Sequence, residues 1–311
     1  LSRPFFYLKR MHNYLAILTF LSLGFLLKRI KSIPENTGTV LNLIVIYISL
    51  PALILLKVPT LKFSWDLLVP TFLPWILLLV SVLLIGLCSY WFKWNKNITG
   101  ALLLVVPLGN TSFLGIPMVQ SFFGEQGIPY ALIYDQLGSF LALVLYGSLI
   151  LVFYGEKENK PTLGAILQRI ISFPPFLALL LALLAKNWLL SSEQAKVILE
   201  TLAATLVPLV MIAVGFQFTL RLKSEEFSKL LLGLGIKMFI IPLVAWEGCK
   251  LLALEGLAVQ VSIFEAAMPP MVSAGALAII AGLAPELVSA LIAVGIFLSF
   301  ITLPLFYQLL M

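Results

Sequence analysis

Charge is scarce in this chain. Of its 311 residues only 11% are Asp, Glu, Lys or Arg, against 61% hydrophobic, and the mean hydropathy is +1.09. A water-soluble domain carries about 25% charged residues to keep its surface wetted, so a soluble domain of useful size is excluded. Histidine is limited to His12, at the edge of the first apolar run, which leaves a serine-type intramembrane hydrolase without its Ser–His pair. The only aspartates are Asp66 and Asp135; the first lies in a connector, far from the second, so the facing pair of an aspartyl-type enzyme is also missing. Cys88 and Cys249 sit singly in apolar runs with no CxxC, and read as small packing residues rather than a disulfide or a metal site. No enzyme, metal centre or cofactor is expected from these absences. The net charge of +6 would suggest nucleic acid in a soluble protein, but the basic residues lie in short connectors, where they set topology, so nucleic acid is not expected.

What is present is a series of long apolar runs. About twenty apolar residues cross the hydrocarbon of a bilayer as one helix, and the runs and breakers give ten spans: 13–27, 37–56, 67–92, 98–124, 128–154, 164–185, 195–220, 228–252, 257–281 and 285–310. The first is short enough for a signal peptide, yet it ends on Lys28, Arg29 and Lys31 without a small-residue cleavage site, and so reads as retained. Met11 reads as the natural start, with residues 1–10 an upstream extension. On one side the connectors hold Lys28, Arg29, Lys31, Lys93, Lys96, Lys157, Lys160, Arg169, Arg221, Lys223 and Lys229; on the other they hold Lys57, Lys62, Lys186, Lys196 and Lys250, with Arg3, Lys9 and Arg10 in the leader. The richer side faces the cytoplasm. The expectation is therefore a multi-pass protein of the cell membrane with both termini outside and the connector Gly155–Thr162 inside. Trp65, Trp75, Trp91, Trp94 and Trp188 fall near span ends, as interface anchors do.

The runs repeat. Pro51 in "SLPALILL" returns 157 positions later as Pro208 in "LVPLVMIA", and Pro129 in "IPYALIYDQLGSF" returns 156 positions later as Pro285 in "APELVSALIAVGIF". Residues 1–154 and 164–311 thus form two five-span halves joined by 155–163. An odd number of spans inserts the second half upside down, the organisation of many secondary transporters. Spans four and nine correspond, and both are broken at mid-span. Span four, "LLLVVPLGNTSFLGIPMVQSFFG", holds Pro107, Gly109, Asn110, Thr111, Ser112, Gly115 and Pro117. Span nine, "VSIFEAAMPPMVSAGALAIIAG", holds Pro269, Pro270, Ser273 and Gly275. Proline removes a backbone donor and opens the helix, and opened backbone at bilayer depth survives only buried in protein or against a cavity. Two opened helices at related positions point helix N-termini, with their free N–H groups and partial positive charge, at one site suited to an anion. Asn110 adds an amide that can donate to a carboxylate. Gly109, Asn110, Thr111, Ser112, Pro269, Pro270 and Ser273 are the candidate substrate site; simple helix kinks are the alternative.

Four polar residues inside spans are coupling candidates, because an uncompensated charge in hydrocarbon is costly. Asp135, beside Gln136 in span five, reads either as a proton or cation site near Asn110 or as a satisfied helix–helix hydrogen bond. Lys237 reads as snorkelling to the cytoplasmic interface, or else as a buried cation that pairs with Asp135 or stands in for a coupling ion. Glu265, one turn before the span-nine break, poses the same choice. Gln217 reads as a scaffold contact or a cavity edge, and Glu247, Lys250 and Glu255 as a solvated cluster at an outer helix end.

"GNTSFLGIP", "EAAMPPMVSAGALA" and "VGIFLSFITLPLF" resemble the auxin efflux carrier family across essentially the whole chain. The family includes the plant PIN-FORMED carriers and bacterial carriers of malate or malonate type. The resemblance implies an all-α membrane protein of ten transmembrane helices in two inverted repeats, with helices 4 and 9 broken and crossing, as in bile-acid symporters and some sodium/proton antiporters. It implies a scaffold of helices 1, 2, 6 and 7 and a moving core of helices 3–5 and 8–10, and leaves room for a homodimer through the scaffold. Asn110 matches the family's crossover asparagine, Pro117 its second proline, and Pro269 and Pro270 the second crossover. The plant carriers have a long central hydrophilic loop where this chain has only Gly155–Thr162, so bacterial dicarboxylate-type members are the closer guide. The expected function is alternating-access transport of a small organic anion, driven by a proton or sodium ion or uncoupled. A carrier of another small solute, a channel and a regulatory membrane protein are the alternatives.

Overall fold

The computed structural model describes residues 3–61, 65–155, 163–184, 193–217 and 226–311. The 155–162 connector beyond Gly155, Lys186 and Trp188, and Arg221 and Lys223 lie outside the described residues. Everything regular among the described residues is helical. In chain order the helices are α1 (Arg3–Leu27), α2 (Thr37–Ile44), α3 (Leu50–Lys57), α4 (Leu68–Phe92), α5 (Lys96–Val105), α6 (Ile116–Phe123), α7 (Ile128–Ile133), α8 (Leu141–Tyr154) and α9 (Leu163–Ser172). They continue as α10 (Pro174–Leu184), α11 (Glu193–Ala204), α12 (Leu206–Gln217), α13 (Phe227–Gly235), α14 (Ile241–Leu251), α15 (Leu257–Ala266), α16 (Val272–Ile280) and α17 (Pro285–Leu310). Four stretches are wound as π-helix: Val45–Ser49, Thr111–Gly115, Tyr134–Phe140 and Ile236–Ile240.

Among the described residues, six continuous helical runs are long and apolar enough to cross a membrane: Thr37–Thr60, Trp65–Phe92, Ile128–Tyr154, Glu193–Gln217, Phe227–Leu251 and Pro285–Leu310. α9 and α10 are shorter apolar helices separated at Phe173, where Pro174 and Pro175 open α10. The apolar stretch Leu15–Leu27 and the helices α5 and α15 are shorter. Two runs are broken where proline is expected to open them. α5 starts on an Asn95 cap, whose side chain accepts from the Ile98 N–H at 2.9 Å, and it stops before Pro107. α15 stops before Pro269.

The chain divides into two compact units. The first comprises residues 1–63, 112–132 and 171–218. Its closest packing is α1 on α12, where a Cβ on Gly24 would lie 2.1 Å from the Ile212 carbonyl oxygen and one on Gly215 2.0 Å from that of Leu21. Only glycine lets the two backbones approach so far, the small-residue packing common between membrane helices. Gln217 packs its stem on Gly38, a contact inside this unit. Ser49 and Thr205 join their hydroxyls at 2.7 Å.

The second unit comprises residues 64–111, 133–170 and 219–311. α4 carries Pro74 against Gly138, and the Trp75 indole N–H donates to the Leu137 carbonyl at 3.0 Å. Trp75 is therefore an internal helix–helix tie rather than an interface anchor, because its polar tip is satisfied by the unwound π-helical backbone opposite. Trp65 and Trp91 stand at the ends of their run, 86% and 71% exposed. The Tyr146 hydroxyl donates to the Leu103 carbonyl at 2.7 Å, fixing α8 to α5.

Candidate functional site

In the second unit the two broken runs cross with their opened backbones antiparallel. The Asn110 N–H donates to the Pro269 carbonyl at 2.8 Å, the Met271 N–H donates to the Leu108 carbonyl at 2.9 Å, and Gly109 faces Pro270 as a single β-bridge. Proline opens each helix and so frees backbone groups; the crossing pairs part of them with each other, which makes such backbone tolerable in hydrocarbon.

Around this pair stands the densest group of buried polar side chains in the unit. Asn110 is 2% exposed and its amide nitrogen has no hydrogen-bond partner. The Thr111 hydroxyl donates to one oxygen of Asp135 at 2.5 Å, and the Gln136 amide donates to the other at 2.6 Å. Asp135 is thus close to the crossing and held by two hydrogen bonds. Glu265 is fully buried and neither carboxylate oxygen has a hydrogen-bond partner. Lys237 is 3% exposed, and its Nζ donates to the Ala266 carbonyl at 3.1 Å. Snorkelling of Lys237 is corrected here: the ammonium turns inward because the last carbonyls of α15 carry partial negative charge and Glu265 attracts it. Glu265 in turn feels both Lys237 and Asp135.

Gly109 lies directly beneath the ammonium, since a Cβ there would sit 3.2 Å from the Lys237 Nζ and 3.6 Å from the Glu265 carbonyl oxygen. A narrow cleft at this point, lined by Pro107, Gly109, Thr111, Tyr134, Ser139 and Lys237, has room for about one water molecule. Ser112 and Ser273 are only half-buried, each in the first turn of the helical stretch that follows its crossing segment. The structure brings Gly109, Asn110, Thr111, Asp135, Gln136, Lys237, Glu265, Pro269 and Pro270 together.

Three of these residues, Thr111, Asp135 and Lys237, lie in π-helical stretches. A π turn inserts an extra residue and rotates the side chains that follow, and such turns recur at functional sites.

The first unit has a separate cavity of about 460 Å³, lined by α1, α3, α6, α11 and α12 through residues that include Ile17, Leu53, Pro117, Gln120 and Ala203. Lys57 and Glu125 line it too and pair at 2.5 Å, with the Gln120 amide donating to the same carboxylate at 2.8 Å. Sequence reasoning placed Lys57 only among connector cations. No spacing signal joins it to Glu125, because the pairing depends on how α3 and α6 pack.

No group of three or more His, Cys, Asp or Glu side chains suited to a metal ion occurs among the described residues. A family profile described as membrane transport protein matches residues 10–307. The chain is 30% identical over 298 residues to an uncharacterized transporter of Methanothermobacter thermautotrophicus, a match covering 94% of this chain and 95% of that one. It is 28% identical over 301 residues to an uncharacterized transporter of Methanocaldococcus jannaschii, covering 92% of each.

Proposed function

The chain belongs to the membrane transport protein family, the family of the auxin efflux carriers, and on that premise we propose that it moves a small organic anion by alternating access, bound at the crossing of 106–110 and 267–271. The observation that carries this reading is the Asn110 amide. It is buried at opened backbone with no partner of its own, an arrangement that costs the empty protein about 1–3 kcal/mol and that a ligand acceptor would relieve. The start of α16 adds helix N–H groups of the sort that receive carboxylates.

The ten-span inverted repeat belongs to the same proposal. Its support is the reciprocal pair of crossing hydrogen bonds and the Ser49–Thr205 bond between residues 156 apart, the offset at which Pro129 and Pro285 recur. Residues related by a two-fold axis meet each other only on that axis. In this reading both termini lie outside, supported by the distribution of Lys and Arg. Asn159→Cys should then resist an impermeant thiol reagent applied to intact cells; ready labelling reverses the orientation.

The functional test is counterflow in proteoliposomes against a panel of labelled mono- and dicarboxylates. A carboxylate should exchange, and Asn110→Ala should weaken its binding by about 1–3 kcal/mol while the protein stays inserted. Unchanged affinity in the inserted variant removes Asn110 from the site.

A further inference from the structure

We propose that the Lys237 ammonium is a cation built into the chain at the place where a carrier of this architecture would take up a sodium ion, so that transport is sodium-independent and removal of the ammonium opens a sodium site. The proposal rests on the carrier reading for its transport consequence, but not for the cation site itself.

The groups that border the ammonium offer it oxygen acceptors. The Ala266 carbonyl accepts from it at 3.1 Å, at the C-terminal end of α15, where the last carbonyls of a half-helix have no helical partners. The Glu265 carbonyl borders the same point beneath Gly109. The Glu265 carboxylate is fully buried with both oxygens unpartnered. Half-helix C-termini and unwound carbonyls are the groups with which broken-helix carriers hold sodium. Here one such carbonyl already holds a tethered cation.

Charge bookkeeping points the same way. The groups facing the crossing are the carboxylates Asp135 and Glu265, the hydroxyl of Tyr134 and the one ammonium of Lys237. A carboxylate buried at this depth needs a counter-charge, and without Lys237 the described site has none of its own. Gly109 fits the same account, since any side chain there would press on the ammonium. A hard monovalent ion with oxygen ligands is the natural substitute.

The test uses the purified full chain in sodium chloride against choline chloride at equal ionic strength. For the wild type, sodium should change neither the melting temperature nor the rate of counterflow. Lys237→Ala should lose counterflow about tenfold or more in choline, from the buried carboxylate left without its counter-charge, and recover much of it in sodium. Without any substrate, sodium should also raise the melting temperature of Lys237→Ala by several degrees, because an ion that binds only the folded state stabilises it. Adding Glu265→Gln should abolish that rise. Sodium stabilisation of the wild type overturns the proposal, as does its absence in Lys237→Ala. Should Lys237→Ala prove too unstable, the recovery of folded Lys237→Gln purified in sodium versus choline is the readout, and equal recovery overturns it. The melting arm needs no transported solute, so a carrier reading that fails leaves it standing, and counterflow without the sodium effect sinks the cation proposal alone.

Discussion

The two units keep their polar groups in opposite ways. In the first, the buried polar side chains among the described residues are Asn42, Ser49 and Ser121, and one of its ion pairs, Lys57 with Glu125, borders an open cavity. Its tightest contact is backbone on backbone at Gly24 and Gly215. In the second, Asp135, Lys237 and Glu265 are all buried, together with Asn110 and Gln136. Burial of such groups is expensive, and among the described residues the buried charge lies in the second unit. The first unit is held by close backbone packing, while the second keeps its charge in a low-dielectric interior.

The sharpest way to break this contrast is Gly215→Val. Its Cβ would fall 2.0 Å from a backbone carbonyl oxygen that cannot move aside, so a loss of more than about 4 kcal/mol is expected. Detergent-extracted protein should aggregate instead of eluting as one species. Normal elution and melting would show that α1 and α12 can separate at little cost.

Asp135→Asn comes next. It keeps the size of the side chain but removes the charge from two charge-assisted hydrogen bonds, at about 1.5–3 kcal/mol each. The protein should still insert and exchange substrate, while net uptake loses its dependence on an imposed pH gradient. A variant that keeps the full pH response makes Asp135 a structural partner of Thr111 and Gln136 and nothing more. The smallest effect belongs to Asn110→Ala without substrate. Removing an unpartnered buried amide should leave the melting temperature of the empty protein unchanged or slightly higher, the usual sign of a residue kept for function at the expense of stability. A clear fall in melting temperature would mean that the amide already has a partner and is structural.

The breaks at 106–110 and 267–271 were legible because proline and glycine inside an apolar run have one local consequence, which needs no tertiary information. Most described helix ends were legible to within a few residues for the same reason, but α1 starts at Arg3, ten residues before the expected span. The depth of Lys237 was not. Ten residues into a helix, its stem can reach the interface or turn inward, and the choice is made by the Ala266 carbonyl and Glu265, which arrive from another part of the chain. Trp75 failed in the same way, satisfied by a carbonyl 62 residues away. The π-helical stretches have no composition signal of their own, yet they set which way Thr111, Asp135 and Lys237 face.

The crossing also constrains the order in which the protein can be made. The Leu108 carbonyl and the Asn110 N–H find their partners in Met271 and Pro269, about 160 residues later in the chain. While the first five runs are already in the bilayer and the later ones are still being synthesised, the opened segment at 106–110 has neither partner, in surroundings that supply no water to replace them. Those runs must therefore wait in a loosely packed or partly hydrated state, and the site closes only when α15 and α16 arrive. Premature release of the nascent chain would leave an unpaired stretch of backbone within the membrane, which is the kind of defect a quality-control protease can recognise.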